Sequence, residues 1–279
     1  MKYLLATLLF SIGIIAKSSA KTTESSGSQL ENDTPRYAER TYLFGIGRSS
    51  QLDTYLSPLD YKGVQASFLS RIDRQTKWAD GRIAYQGTFQ GAFTKVEDSS
   101  KKGEEWGAHV GYDAGWHYQW QLPHNIELKA GGLIGTDLGF LYNLRNSNNP
   151  AQGRLNVDLS LSAGAAYTFR VRRTDLRLSY QADMPFLGVM FSPAFGQSYY
   201  ELSIGNRDHN VCCTYPGNAF SVRQIVLFDV PFRYFTLRAG YMCDVRQSHV
   251  NSIRVHDISH NFLIGFAKRF SLAKVKKQD

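Results

Sequence analysis

The chain has 279 residues, of which 43% are hydrophobic, 13% aromatic and 20% charged, with a formal net charge of +8. Its 17 Phe, 16 Tyr and 4 Trp give it more to bury than a disordered chain carries. A single long apolar run excludes a helical protein that crosses a membrane repeatedly, which needs several stretches of about 20 apolar residues. What remains is an all-β globule or a membrane β-barrel.

The chain opens on Lys2, an apolar stretch from Leu4 to Ile15, and the small residues Ser18-Ser19-Ala20. A positive start, a short apolar core and small residues before a cleavage point make 1–20 a signal peptide. No Cys follows the cleavage point, so a lipoprotein is not expected. Residues 21–38 are polar, Ser/Thr-rich and broken by Pro35, and read as a flexible periplasmic N-terminal segment. At the other end Lys274, Lys276 and Lys277 make 273–279 a basic tail. The basic balance would suggest nucleic acid in a cytosolic protein. An exported chain without a basic stripe and interleaved aromatics is not expected to bind it.

From residue 39 to 272 the chain is a succession of alternating segments, with no competing period of 3.6. In chain order they lie near 40–48, 62–73, 82–94, 105–121, 125–141, 154–171, 175–184, 219–230, 235–246 and 252–270. The clearest is 105–121: Trp106, Ala108, Val110, Tyr112, Ala114, Trp116, Tyr118 and Trp120 alternate with positions that hold no large hydrophobe. A period of two means strand, with one face in an apolar medium. Soluble strands average about 5–6 residues, whereas a tilted membrane strand needs about 9–11 in hydrocarbon. The segments here reach that longer span, and aromatics such as Trp106, Trp120, Tyr167 and Phe169 gather towards their ends, as interfacial girdles do. The expected fold is an all-β antiparallel transmembrane β-barrel of ten strands. It would have twelve if 185–218 hides a further pair, because Ser198 to Ile204 alternates weakly.

Connections at 121–125, 172–174 and 231–233 are tight, while 49–61, 95–104, 142–153 and 185–218 are long and polar. Short and long alternate, which places the short ones and the N-terminus on the periplasmic side. Three cysteines are too few for a disulfide scaffold. Cys212 and Cys213 are neighbours whose Cα atoms sit about 3.8 Å apart, too close for an unstrained bridge. With no CxxC or Cys/His spacing, neither a metal nor a cofactor is expected.

The polar face supplies a candidate lumen network of His109, Asp113, His117, Asp158, Arg170, Arg177, Asp183, Arg223, Asp229, Arg238, Asp244 and Arg246. His109, Asp113 and His117 share one face, but a spacing of four puts neighbours about 13 Å apart along a strand. Metal–ligand bonds are near 2 Å, so the three do not share one ion. A lumen of this size lies between filled and open barrels, and alternating acids and bases would plug it as readily as line a pore. The long loop offers candidate extracellular contacts at Phe191, Phe195, Tyr199, Tyr200 and Tyr215, either for recognition or for packing over the mouth.

For catalysis the best residues are His256, Asp257 and His260 on the last strand, with Asp183 and Asp244 near other outer ends. His256 and Asp257 point to opposite faces, so no adjacent dyad forms, and no catalytic residue is assigned.

The stretches FGIGRSSQLDTYLSPLDYKG (44–63) and MPFLGVMFSPAFGQSYYELSIGN (184–206) resemble two segments of an outer-membrane family of gut-type Gram-negative bacteria, catalogued as a domain of unknown function. The resemblance covers roughly 40 to 272. It implies an outer-membrane barrel and carries no activity to transfer. The expectation is therefore an outer-membrane barrel acting as a narrow channel or a small-solute binder. The alternative is a non-conducting structural or surface-interaction barrel, and a hydrolase with a site at the extracellular rim comes third. Expected partners are outer-membrane lipid and the export and barrel-assembly machinery, with the ligand open.

Overall fold

The computed structural model describes residues 36–146, 149–205 and 209–272. The expected signal peptide at 1–20, residues 21–35 of the N-terminal segment and the tail at 273–279 lie outside the described residues. Ten long antiparallel strands form the wall: β1 Arg36–Asp53, β2 Ser57–Gln75, β3 Ile83–Asp98, β4 Glu104–Leu122, β5 Ile126–Asn143, β6 Ala151–Val171, β7 Thr174–Phe191, β9 Ser221–Pro231, β10 Thr236–Val250 and β11 Ile253–Leu272. A short helix α1, Tyr199–Ser203, and a four-residue strand β8, Val211–Thr214, lie between β7 and β9. Each long strand pairs with its neighbour in the chain, β7 pairs with β9, and β11 returns to β1, so the sheet closes. Closure leaves no unpaired edge around the wall.

All ten alternating segments are strands. Two boundaries differ from the sequence reading. β1 begins at Arg36, inside the segment expected to be flexible, because its ladder with β11 runs on to Leu272. The loops at the far end are also shorter than expected. Strands β1 and β2 continue through most of 49–61 and leave only Thr54–Leu56 as the turn. There Ser, Gln, Asp and Pro stand among the few apolar residues, so alternation fades while the backbone ladder continues.

β10 and β11 join through Asn251 and Ser252, both at positive φ (52° and 61°). That is the two-residue geometry whose twist matches its flanking strands.

The stretch 185–218 does not hold a further pair of barrel strands. Its first part, through Phe191, extends β7, and β8 pairs only with that extension. Ser198 to Ile204, which alternates weakly, is helical instead. The Ser198 hydroxyl accepts from the Glu201 N–H, and the Glu201 side chain accepts from the Ser198 N–H. This reciprocal cap satisfies helix donors that a strand would have to pair elsewhere.

Alternation sends large apolar residues outward: Phe44, Ile46, Val64, Ile134, Leu138, Leu161, Phe262 and Ile264 are each more than half exposed. The interior is not uniformly polar, however. Leu43, Leu69, Ile225, Leu227, Met242 and Leu263 form a buried apolar cluster against one wall.

Glycines let the wall close tightly. A Cβ on Gly47 would fall 1.8 Å from the His260 carbonyl oxygen, and one on Gly265 would fall 1.9 Å from that of Tyr42.

Candidate functional site: a lumen crossed by arginines

The inward face carries charge at almost every level, and these groups meet across the lumen. Towards the loop end, Arg154 on β6 reaches Asp53 on β1 at 3.0 Å. Below it, Arg246 on β10 meets Asp137 on β5 at 2.9 Å and Asp244 on its own strand at 3.0 Å. At mid-barrel Arg223 on β9 donates to Asp113 on β4 at 2.7 Å, Asp183 on β7 at 3.1 Å and Gln90 on β3 at 2.7 Å. Lower still, Arg71 on β2 donates to Gln181 on β7 at 3.2 Å. β1 and β6, β2 and β7, and β3 and β9 stand on opposite sides of the ring. These contacts are therefore struts across the barrel, made by the side chain with the longest reach and five donors.

Beneath Arg223 lies a buried relay. His117 Nε2 is 2.7 Å from Ser162 Oγ, the Ser162 hydroxyl donates to Asp183 at 2.5 Å, and Gln181 donates to Asp183 at 2.8 Å. A Ser, a His and an Asp invite a nucleophile reading, but the protons run the wrong way. The Ser162 O–H is given to the carboxylate, so the imidazole nitrogen facing Oγ must donate. An activated serine needs that nitrogen to accept.

Between the struts, the relay and the apolar cluster the lumen keeps cavities at the loop end, at mid-barrel and at the terminal end. The loop-end cavity has about 1060 Å³ of empty space counted to its mouth. Its lining mixes apolar side chains (Leu141, Met190, Phe191, Val250, Ile253, Val255) with polar ones (Gln51, His109, Asp137, Arg154, Asp158, Asp257). It shares Asp137, Asp158 and Arg246 with a hollow of about 520 Å³ that reaches Asp113, Asp183, Arg223 and Asp244. The terminal-end cavity, about 1280 Å³ counted out into open solvent, is bordered by Glu39, Arg71, Asp73, Glu127, Lys129, Arg177, Asp229 and Arg238.

The residues named from sequence divide among these places. Asp113, Asp183 and Arg223 form one strut, and Asp244 and Arg246 belong to another. Asp229 accepts from Arg238 at 2.7 Å, and Arg238 also reaches Glu39 and Thr41. Arg177 pairs with Glu127 at 3.1 Å. His109 and Asp158 border the loop-end cavity, where Asp158 accepts from Ser160 at 2.9 Å and makes no ion pair among the described residues. His109, Asp113 and His117 thus take three different places.

Arg170 does not join the network. Its parity is inward, but β6 has reached the rim there, and the exposed side chain pairs with Asp175 at 3.4 Å. Asp183 and Asp244 lie at mid-barrel, not near outer ends. His256 faces Asp60 at 3.6 Å and His260 meets the Tyr241 hydroxyl at 2.6 Å, both on the outside, while Asp257 is inside beside Gln51 and Arg154.

The loop between β7 and β9 does pack over the mouth, but only in part. The Tyr199 hydroxyl accepts from the Gly153 N–H at 2.6 Å and donates to Gln152, and its ring meets Tyr55 edge-on. Tyr55 in turn donates to the Gln197 carbonyl at 2.8 Å, and burial pushes its phenol up to about 12, helped by neighbouring negative charge. Burial raises Tyr199 as well. Phe191 borders the cavity, whereas Phe195, Tyr200 and Tyr215 are exposed.

Sequence reasoning passed over Arg71, Lys129, Asp137, Arg154 and Gln181. All sit at inward parity, which was the available signal. Their partners are fixed by the stagger of strands across the ring, which alternation within one strand does not carry.

Solved structures with a similar fold are outer-membrane barrel proteins. The chain is similar to the outer membrane protease OmpT from Escherichia coli at 10% identity, covering 89% of this chain and 100% of that one, with a TM-score of 0.45. It is similar to the transport unit of the autotransporter AIDA-I from Escherichia coli at 11% identity, over 86% and 92% of the two chains, with a TM-score of 0.42. Ail, the attachment invasion locus protein of Yersinia pestis, matches at 12% identity over 84% and 99%, with a TM-score of 0.36. No curated protein matches the chain. A family model covers residues 3–277, nearly the whole sequence, and the chain therefore belongs to the family described as protein of unknown function DUF3316.

Proposed function

We propose that this protein is an outer-membrane β-barrel, closed across its middle, that holds a small cationic solute in its loop-end cavity. The lining of that cavity and the hollow below it carries the reading. Asp113, Asp137, Asp158, Asp183, Asp244 and Asp257 stand there against Arg154, Arg223 and Arg246. The excess of carboxylates favours a cation, and the apolar side chains among them fit a hydrocarbon body beside it.

The outward band of large apolar side chains supports lipid as the surrounding medium, because a soluble protein rarely exposes so large a contiguous patch. In this reading the export and barrel-assembly machinery delivers the chain. The short-turn end faces the periplasm and the loop end the outside. The crossing arginines favour a binding barrel over a narrow channel. A surface-interaction barrel is the second reading, favoured by the exposed rings of Phe195, Tyr200 and Tyr215.

The test is calorimetric titration of the folded full chain in detergent with butylamine and with butanol. Saturable binding of the amine alone, weakened in Asp158→Asn, is expected. No saturable amine binding, or binding indifferent to Asp158→Asn, would remove the cationic-solute reading and leave the surface-interaction barrel.

A further inference from the structure

Around the terminal-end cavity three of the six cations have a carboxylate partner. Arg177 meets Glu127 at 3.1 Å, Arg238 meets Asp229 at 2.7 Å, and Arg269 meets Glu39 at 3.2 Å. Arg71 and Lys129 are different. Arg71 is 6% exposed, and its only hydrogen bond among the described residues runs from Nη1 to the neutral amide oxygen of Gln181. Its Nε and Nη2 are buried without a partner. The Lys129 ammonium donates to the same Gln181 oxygen at 2.7 Å and to Gln86 at 3.1 Å, again neutral amides.

One amide oxygen thus holds a guanidinium and an ammonium side by side at the edge of a cavity. Among the described residues no carboxylate makes an ion pair with either of them. Asp183 is taken by Arg223, Ser162 and Gln181, and Asp73 borders the cavity without an ion pair among the described residues. Cations outnumber carboxylates in the lining, six to four.

We propose that Arg71 and Lys129 form a binding site for an oxyanion, a carboxylate or phosphate group on a small solute that enters from the terminal end. Nε and Nη2 are the edge of a guanidinium that grips two oxygens of such a group in parallel, and because both atoms are covered, binding requires the side chain to turn towards the cavity it borders. Lys129 adds a further charge-assisted donor beside them. The oxyanion would satisfy the two orphaned N–H groups and separate the like charges, which removes the cost of leaving both buried without a counter-ion. The site is separated by the mid-barrel filling from the acidic cavity at the loop end, so it does not depend on what that cavity binds.

The experiment is titration of the full chain, refolded in detergent, with inorganic phosphate and separately with acetate at constant ionic strength. Calorimetry reads the binding, and chloride serves as the balancing salt. Saturable binding of either anion is expected, roughly tenfold weaker in Arg71→Gln and in Lys129→Gln, since each removes a charged donor. Phosphate alone, acetate alone or both identifies which group the site takes. Arg170→Gln, an exposed rim arginine, is expected to bind as the wild type does. Absence of saturable binding of both anions would overturn the proposal. So would an equal loss in Arg170→Gln and Lys129→Gln, which would mean attraction to general positive charge. Should Arg71→Gln fail to refold, Lys129→Gln decides alone.

Discussion

Arg223 illustrates how one side chain is committed when it crosses a lumen. It joins three strands other than its own, and two of its three partners are carboxylates. Replacing it with Gln leaves Asp113 and Asp183 facing each other without a cation, an arrangement that typically costs about 3–5 kcal/mol. Chemical unfolding in detergent should show that loss for Arg223→Gln. Asp158→Asn should stay within about 0.5 kcal/mol of wild type, because its carboxylate is tied to no cation. Equal stabilities for the two variants would contradict the strut assignment.

Tyr55 gives a pH test at the same scale. Its phenol titrates near 12 in the folded protein against 10 for the free group. As pH rises the unfolded chain therefore releases this proton first. The contribution of Tyr55 is intact below pH 10 and is lost between pH 10 and 12. The unfolding midpoint should fall more steeply across that window in wild type than in Tyr55→Phe. Parallel curves would show that the ring is not buried as described.

At the scale of elements, α1 owes its start to Ser198. Ser198→Ala removes a cap worth about 1 kcal/mol, so limited proteolysis should cut the loop between β7 and β9 faster while the barrel strands stay protected. An unchanged cleavage rate would mean that the cap does not anchor the loop. In the wall, Gly47→Ala places a methyl group against the backbone of β11, which cannot yield without parting the strands. Its folded yield should drop, as judged by the fraction that resists SDS before heating.

The strands themselves were legible because one face of each needs large apolar side chains and the other needs small or polar ones. Legibility failed where that contrast fades. The tips of β1 and β2 mix Ser, Gln, Asp and Pro with few apolar residues, so they read as loop. Ser198 and Glu201 spelled a helix start, but Tyr199 and Tyr200 beside them imitated a strand edge. The inner cluster around Leu43 and Leu69 was missed for a related reason: apolar residues on both faces of a strand blur its period. Of the site, parity alone marked the inward charges. It did not say that Arg71 would face Gln181 while Arg223 would face Asp113, since those distances depend on ring closure.

The whole molecule combines an apolar outer band, a middle crossed by arginine struts, and cavities of opposite charge balance at its two ends. Each struts-and-relay level closes the barrel with side chains and not with an inserted loop, so opening it requires several breaks at once. Arg71→Gln alone should leave the middle closed, because Arg223 and Arg246 still span it. Substituting all three together removes every strut below Arg154.

Ion conductance across planar lipid bilayers tests this most directly, using protein whose membrane insertion is established by fluorescence quenching of its tryptophans with brominated lipid. Inserted wild-type protein is predicted to be silent, and the triple variant Arg71→Gln, Arg223→Gln, Arg246→Gln to show discrete steps. Discrete steps from the wild type would contradict the closed barrel and return the molecule to the class of narrow channels.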